Sequence, residues 1–240
     1  MELAEYRRMA EVEDTHWWYG STRALLQQLL ADELRPGGTF LDLGAGTGAT
    51  GAWLAAHGRV VAADFEPLAL TLHRERHQAS EVVACDAVAL PFADDSFDAV
   101  LCVTVLCHRS IESPAAAVAE MARVVRPGGV VCLMEPGGRR LRRAHDRVTH
   151  TGRRFSRGDL AGLVTESGMR VERSTGAYSF LVPPAVVKML LERRDTSSDL
   201  DANQGGLGGV LPAAARLERS VLRRIPLPAG LSVIAVARAG

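Results

Sequence analysis

The sequence predicts an α/β protein in which a mostly parallel sheet is covered by helices on both faces. Three observations lead there. Apolar runs of strand length alternate with segments of helical period along most of the chain. The first of these runs feeds straight into a glycine-rich turn, Gly44-Ala-Gly-Thr-Gly48. The chain has 240 residues, 47% of them apolar, which suits one domain with a large core.

The elements follow in order. Residues 22–34 place Leu25, Leu26, Leu29, Leu30 and Leu34 on one helical face, and Pro36-Gly37-Gly38 ends that helix. Thr39–Leu43 is a short strand; Ala49–His57 reads as a helix closed by Gly58, and Arg59–Asp64 as the next strand. A helix starts near Pro67, because proline suits a first helical turn. Val82–Ala87 and Phe97–Val103 are buried strands with an Asp-rich turn between them. Ser113-Pro114 opens a helix that runs to about Val125, and Val130–Glu135 is a fifth strand. Ser156 caps a helix lasting to Gly168, and Met169–Tyr178 is a sixth strand. From 179 to 228 the rhythm breaks. Helical patterns at 185–194 and 213–224 flank Asn203-Gln-Gly-Gly-Leu-Gly-Gly209, as an insertion before a last strand, Leu231–Ala237.

Bulk properties remove several function classes. With 28 basic and 28 acidic side chains the formal charge is zero, so nothing favours nucleic acid or an anionic membrane. Cys85, Cys102, Cys107 and Cys132 show neither Cys-x-x-Cys nor zinc spacing with His, and read as reduced core residues of a cytoplasmic protein without a metal. The N-terminus lacks a signal-like apolar stretch. The apolar segment Tyr178–Leu191 is broken by Pro183-Pro184 and Lys188, the chain's only lysine, so no membrane span is expected.

The central feature is Leu41-Asp42-Leu43-Gly44-Ala45-Gly46-Thr47-Gly48. Glycines admit a sharp turn and the close approach of a ligand, and the helix start beyond offers unpaired N–H groups. Gly46-x-Gly48-x-x-Gly51 also satisfies the dinucleotide fingerprint, which keeps an NAD(P)-dependent oxidoreductase in view. Asp42 stands two residues before the first glycine, where a carboxylate tolerates an ammonium or sulfonium and repels a pyrophosphate. Asp64, 20 residues past Gly44, is placed to accept from ribose hydroxyls in either class.

Cys85-Asp86-Ala87, Leu90-Pro91-Phe92, Asp95-Ser96-Phe97-Asp98 and Arg123-Val-Val-Arg-Pro-Gly-Gly129 resemble class I S-adenosylmethionine-dependent methyltransferases of the small-molecule branch. The likeness is collinear over about Thr39–Pro136. His16-Trp17-Trp18-Tyr19 and the C-terminal strand resemble a type 11-like bacterial subgroup. The resemblance implies a Rossmann-like three-layer fold with a seven-stranded sheet ordered 3-2-1-4-5-7-6, the last strand antiparallel. It further implies S-adenosylmethionine as cofactor, S-adenosylhomocysteine as product, and a small-molecule acceptor methylated on O, N or C, plausible for bacterial secondary metabolism. Gly44, Ala45, Gly46 and Gly48 would wrap the amino-acid part. Asp64 would hold the ribose, Phe65 would lie beside the adenine, and Asp86 and Ala87 would meet the adenine amino group and ring nitrogen. The Cys102 carbonyl, with Val103 next to it, would accept from the methionine ammonium.

Methyl transfer is an in-line displacement, so the protein aligns the acceptor and, where needed, removes a proton. His108, past the fourth strand, is the first candidate base or orienting group; His16 and His150 are the others. Acceptors that are already nucleophilic need no base. Trp17, Trp18 and Tyr19 read either as an anchored helix or as a lid over the cofactor, and Arg23 as a partner for its carboxylate. Arg139-Arg140-Leu-Arg142-Arg143 reads as a solvated face. The organisation expected is a helical lid (1–35), a cofactor-binding core (36–178), a substrate-side insertion (179–228) and a final strand (229–240). The insertion's apolar residues suit a greasy acceptor or a homodimer interface. A non-catalytic cofactor-binding protein is the remaining alternative.

Overall fold

A computed structural model describes residues 1–77, 81–141, 145–191 and 209–240. Arg142, Arg143 and the glycine-rich stretch 203–208 lie outside them. Seven strands form one sheet in the order β3-β2-β1-β4-β5-β7-β6. They are β1 (Gly38–Leu43), β2 (Gly58–Asp64), β3 (Glu81–Ala84), β4 (Phe97–Val103), β5 (Val125–Pro136), β6 (Arg170–Ala177) and β7 (Ser232–Arg238). β7 runs antiparallel to both β5 and β6, and the other pairings are parallel. This is the order and direction of strands that the sequence resemblance implies.

The strand period of two divides the core. Leu41, Leu43, Val100, Cys102, Val131 and Leu133 face helices α4 (Pro114–Val124) and α6 (Arg157–Glu166) through Val118, Met121, Leu160 and Val164. The alternate residues Phe40, Ala99, Leu101, Cys132 and Met134 face α2 (Trp17–Leu30) and α8 (Val210–Leu222). α3 (Pro67–Arg76) packs on β2 and β3, and α1 (Leu3–Val12) packs on α3. A short α5 (His145–Val148) and α7 (Val182–Leu191) complete the helices of the described residues.

Local chemistry explains the boundaries. The Ser113 side chain accepts from the Ala116 N–H at the start of α4, and Ser156 with Asp159 forms a reciprocal capping box on α6. His16 caps α2 by accepting from the Trp18 N–H, so that helix begins at Trp17 and includes the aromatic cluster. The segment expected as a helix from Ala49 to His57 holds only a 3-10 turn, Ala52–Ala56. Gly44, Gly46 and Gly48 all take positive φ (73°, 55° and 103°), which an α-helix does not admit, so the turn runs further than the sequence pattern indicates. β3 stops at Ala84: the Cys85 N–H bonds the Asp64 carbonyl, and Asp86 folds into a turn on the Val88 N–H.

Candidate active site

Ligands of open α/β sheets bind at the carboxyl ends of the strands, where the strand order reverses. In this sheet the reversal lies between β1 and β4, and a cavity of about 670 Å³ opens there. Gly44, Ala45, Gly46, Asp42, Asp64, Phe65, Asp86, Ala87 and Val103 line it, together with Tyr19 and all three candidate histidines.

Three of the expected residues stand outside its wall. Cys102 is fully buried in the core beneath Val103, so the wall at the end of β4 is made by Val103, Thr104 and Val105. Gly48 sits instead against α3, where a Cβ would come within 2.3 Å of His77 and 2.9 Å of His73. Arg23 donates to the carbonyls of Glu13 (3.2 Å) and Ala49 (3.3 Å), tying the end of α1 to the glycine turn. Both bonds come from one guanidinium nitrogen of Arg23.

The carboxylates at the turn are not equivalent. The Asp64 oxygens accept from the Gly46 N–H and the Glu66 N–H, each at 2.9 Å, so this side chain braces the turn it faces. Burial raises its pKa above the ordinary value. Asp42 is buried below the turn, and burial, with Asp64 nearby, pushes its carboxyl up to about 7. A Cβ at Gly51 would lie 1.9 Å from its Oδ2, so that glycine makes room for the carboxylate. Asp86 is exposed at the rim. With Glu66 these side chains give the turn end an acidic wall, suited to a ligand of positive charge.

Glu135 had no sequence signal. It ends the apolar run Val130–Met134, and nothing in that pattern tells an inward acid from a strand-end acid. Its carboxylate is fully buried and accepts from the N–H groups of Val105 (3.0 Å), Leu106 (2.8 Å) and Cys107 (3.1 Å). Three amides therefore hold the loop that carries His108, while burial lifts the Glu135 pKa to about 7. Thr104, at the start of that loop, has φ +57°; His150 and Tyr178, which also line the cavity, have φ +54° and +56°. Left-handed backbone in residues with side chains costs energy and concentrates at functional sites.

The histidines differ in capacity. Burial, followed by the nearby amino end of the chain and His150, lowers the His108 pKa to about 4; a hydrogen bond to the Thr104 carbonyl opposes this. His108 is thus a neutral imidazole at physiological pH and a weak base. In His16, Nδ1 is taken by the cap of α2, which leaves Nε2 to carry the ring proton. His150 is exposed, at the end of the turn after α5, and its carbonyl accepts from the Arg109 N–H.

The opposite wall comes from the segment after β6. Tyr178, Leu181, Pro184, Ala185 and Leu211 line the cavity with Trp17 and Trp18. The Tyr178 hydroxyl bonds Thr22 on α2 at 2.7 Å, and its ring meets Trp17 edge-on at 5.9 Å. Glu218 on α8 accepts from the Tyr178 and Ser179 N–H groups, which fixes the turn into α7. Arg154, itself buried, pairs with Asp146 at 2.6 Å on a further side. Arg139, the described start of the arginine run with Arg140, pairs with Asp159. No group of three or more metal-type ligands occurs among the described residues, and no helix among them is long and apolar enough to cross a membrane.

The methyltransferase domain family matches residues 41–133. A demethylmenaquinone methyltransferase of Renibacterium salmoninarum is 44% identical over 101 residues, which are 42% of this chain and 42% of that enzyme. The chain thus spans less than half the length of that relative. Among solved structures, a Haloferax volcanii methyltransferase in complex with its Trm112 activator superposes with a TM-score of 0.63 at 21% identity, covering 99% of this chain and 95% of that one. A Haemonchus contortus phosphoethanolamine N-methyltransferase bound to S-adenosylmethionine superposes at 0.60 and 18% identity, covering 92% and 52%. The segment that matches the family, residues 41–133, contains the glycine turn, Asp64, Asp86 and β4, so the match falls on the part of the chain that builds the cavity floor.

Proposed function

We propose that this protein uses S-adenosylmethionine to methylate a small apolar acceptor, on oxygen, nitrogen or carbon, in a bacterial biosynthetic setting in the cytoplasm. One observation carries the reading. A single cavity joins the acidic glycine turn to an aromatic and aliphatic wall built after β6, with His108 between them in the chain's layout. The residues fit the cofactor. Gly44 and Gly46 bring backbone, not side chain, to the cavity; Asp64 and Asp86 offer acceptors, and Asp42 adds negative charge beneath. When bound, S-adenosylmethionine supplies a methyl group already activated on a sulfonium.

The chain's own part is binding, orientation and exclusion of water. Asp64 would hold the ribose while still bracing Gly46, and the Val103–Val105 segment would face the amino-acid end. His108, neutral and held by the Glu135 clamp, suits orienting an acceptor better than abstracting a strongly held proton. That favours an acceptor that ionises easily or needs no base. Residues 1–35 would serve as the lid, 36–178 as the cofactor core, 179–228 as the acceptor wall and 229–240 as the closing strand. An NAD(P)-dependent oxidoreductase is disfavoured by the acidic wall where a pyrophosphate would sit.

Methyl-labelled S-adenosylmethionine, incubated with the protein and a panel of apolar hydroxylated rings that includes demethylmenaquinone, tests this. Label in an extracted acceptor supports it. Absence of both labelled product and S-adenosylhomocysteine binding contradicts it.

A further inference from the structure

Among the described residues, eight large apolar side chains are exposed, and six of them belong to the segment 182–225: Val186, Val187, Val210, Leu217, Val221 and Ile225. On α8 they obey the helix period. Leu211, Ala215, Glu218 and Leu222 form its inner face, which reaches the cavity, the core and the Tyr178 turn. Leu217 and Val221 lie on the other side, in line with Val210. Leu217 is 70% exposed.

Among the described residues, the charge on this outer face is of one sign. Arg216 and Arg224 are exposed beside Leu217, Val221 and Ile225, and Arg223, also exposed, donates to Gln28 on α2. The one acid of α8, Glu218, is turned inward onto two backbone amides. A helix with an outward stripe of aliphatics flanked by arginines, in a chain whose formal charge is zero overall, is built for a surface that is both apolar and negative. α7 adds Val186 and Val187 on its outside while Pro184, Ala185 and Lys188 line the cavity. The helices that wall the acceptor side therefore also carry the apolar surface.

We propose that the outer face of α8, with Ile225 just beyond the C-terminal end of that helix, docks on the surface of an anionic lipid bilayer. The helix lies in the headgroup plane, with Leu217 and Val221 entering the acyl boundary and Arg216 and Arg224 meeting lipid phosphates. An apolar acceptor dissolved in the bilayer then has a short path to the cavity wall at Leu211 and Lys188. The docking surface does not depend on the methyl-transfer reading, and its test uses no turnover.

Flotation of the full chain with vesicles of three parts phosphatidylcholine to one part phosphatidylglycerol, and with pure phosphatidylcholine, is the experiment. Expected is binding to the anionic vesicles that weakens with salt, and at least tenfold weaker binding to the neutral ones. Leu217→Glu with Val221→Glu should abolish binding. Arg216→Ala and Arg224→Ala should each weaken it by about fivefold, the effect of one basic group near an anionic surface. Circular dichroism and the thermal midpoint verify that each variant is folded; should the Glu variant not fold, the Arg variants carry the test. No flotation of the parent protein overturns the proposal, as does equal binding by all variants. Light scattering that shows a dimer, converted to monomer by Leu217→Glu without vesicle binding by the parent, assigns the face to a second copy instead and equally overturns it.

Discussion

Asp42 is the residue whose titration speaks most directly to the ligand. Its carboxyl is raised to about 7 by burial and by Asp64, so the folded protein without ligand holds a proton there below that pH. A cation bound beside it favours the ionised form and expels the proton. Calorimetric titration near pH 6.5 in two buffers of different ionisation enthalpy should therefore reveal proton release on binding S-adenosylmethionine, and Asp42→Asn should remove it. Asp64→Ala is expected to weaken cofactor binding by about 1–3 kcal/mol, since acceptors of ribose donors and of the Gly46 N–H are both lost; the same titration measures it. His108→Ala should lower turnover and leave cofactor affinity unchanged. With its pKa near 4, His108 contributes no limb to the pH–rate profile around pH 6 to 7. A limb there that disappears in His108→Ala would show that His108 is a base in the working enzyme.

At the scale of elements, the Glu135 clamp and the seat of the glycine turn decide how firmly the site is held. Glu135→Gln presents an amide group to at least one of the three N–H donors now bonded. A loss of about 1–3 kcal/mol in denaturant unfolding is expected, with a fall in turnover through displacement of the His108 loop. The turn rests on His73 of α3 and on His77 at its C-terminal end, whose rings lie 5.2 Å apart. Burial, with His77 adjacent, lowers the His73 pKa from 6.5 to about 4. The unfolded chain takes up a proton at His73 as pH falls through 6.5, and the folded chain does so only near 4. Stability from this group is therefore full above 6.5 and declines as pH falls toward 4. His73→Leu should flatten that decline relative to the parent in thermal melts across the range. Asp42 and Glu135, with raised values, act in the opposite direction, so the comparison of slopes is the informative quantity.

For the whole molecule, the α/β class is legible in the alternation of short apolar runs with helical periods, whereas the strand order follows from the resemblance to the methyltransferase family. Phe97–Val103 occupies β4 as the residues indicate, and Ser113 and Ser156 cap the helices they open. The helix after the glycine turn was misjudged, because φ at Gly48 and the space demanded by Asp42 against Gly51 are tertiary facts. Arg23 and Cys102 illustrate another limit. Spacing from Tyr19 puts Arg23 near the ligand and the resemblance puts the Cys102 carbonyl there, whereas the Arg23 contacts with Glu13 and Ala49 and the cavity wall that starts at Val103 arise only in three dimensions. Glu135 and Glu218 were illegible for a related reason: an acid whose partners are backbone amides leaves no trace in side-chain pattern. Binding to the native state should raise the thermal midpoint as ligand concentration rises above the dissociation constant.

The account stands on the glycine turn as a site for a positively charged nucleoside. Parallel calorimetric titrations with S-adenosylhomocysteine and with NAD test it most directly. Saturable binding of S-adenosylhomocysteine that Asp64→Ala weakens, with no heat from NAD, is the expected result. Saturable binding of NAD with no response to S-adenosylhomocysteine would contradict it.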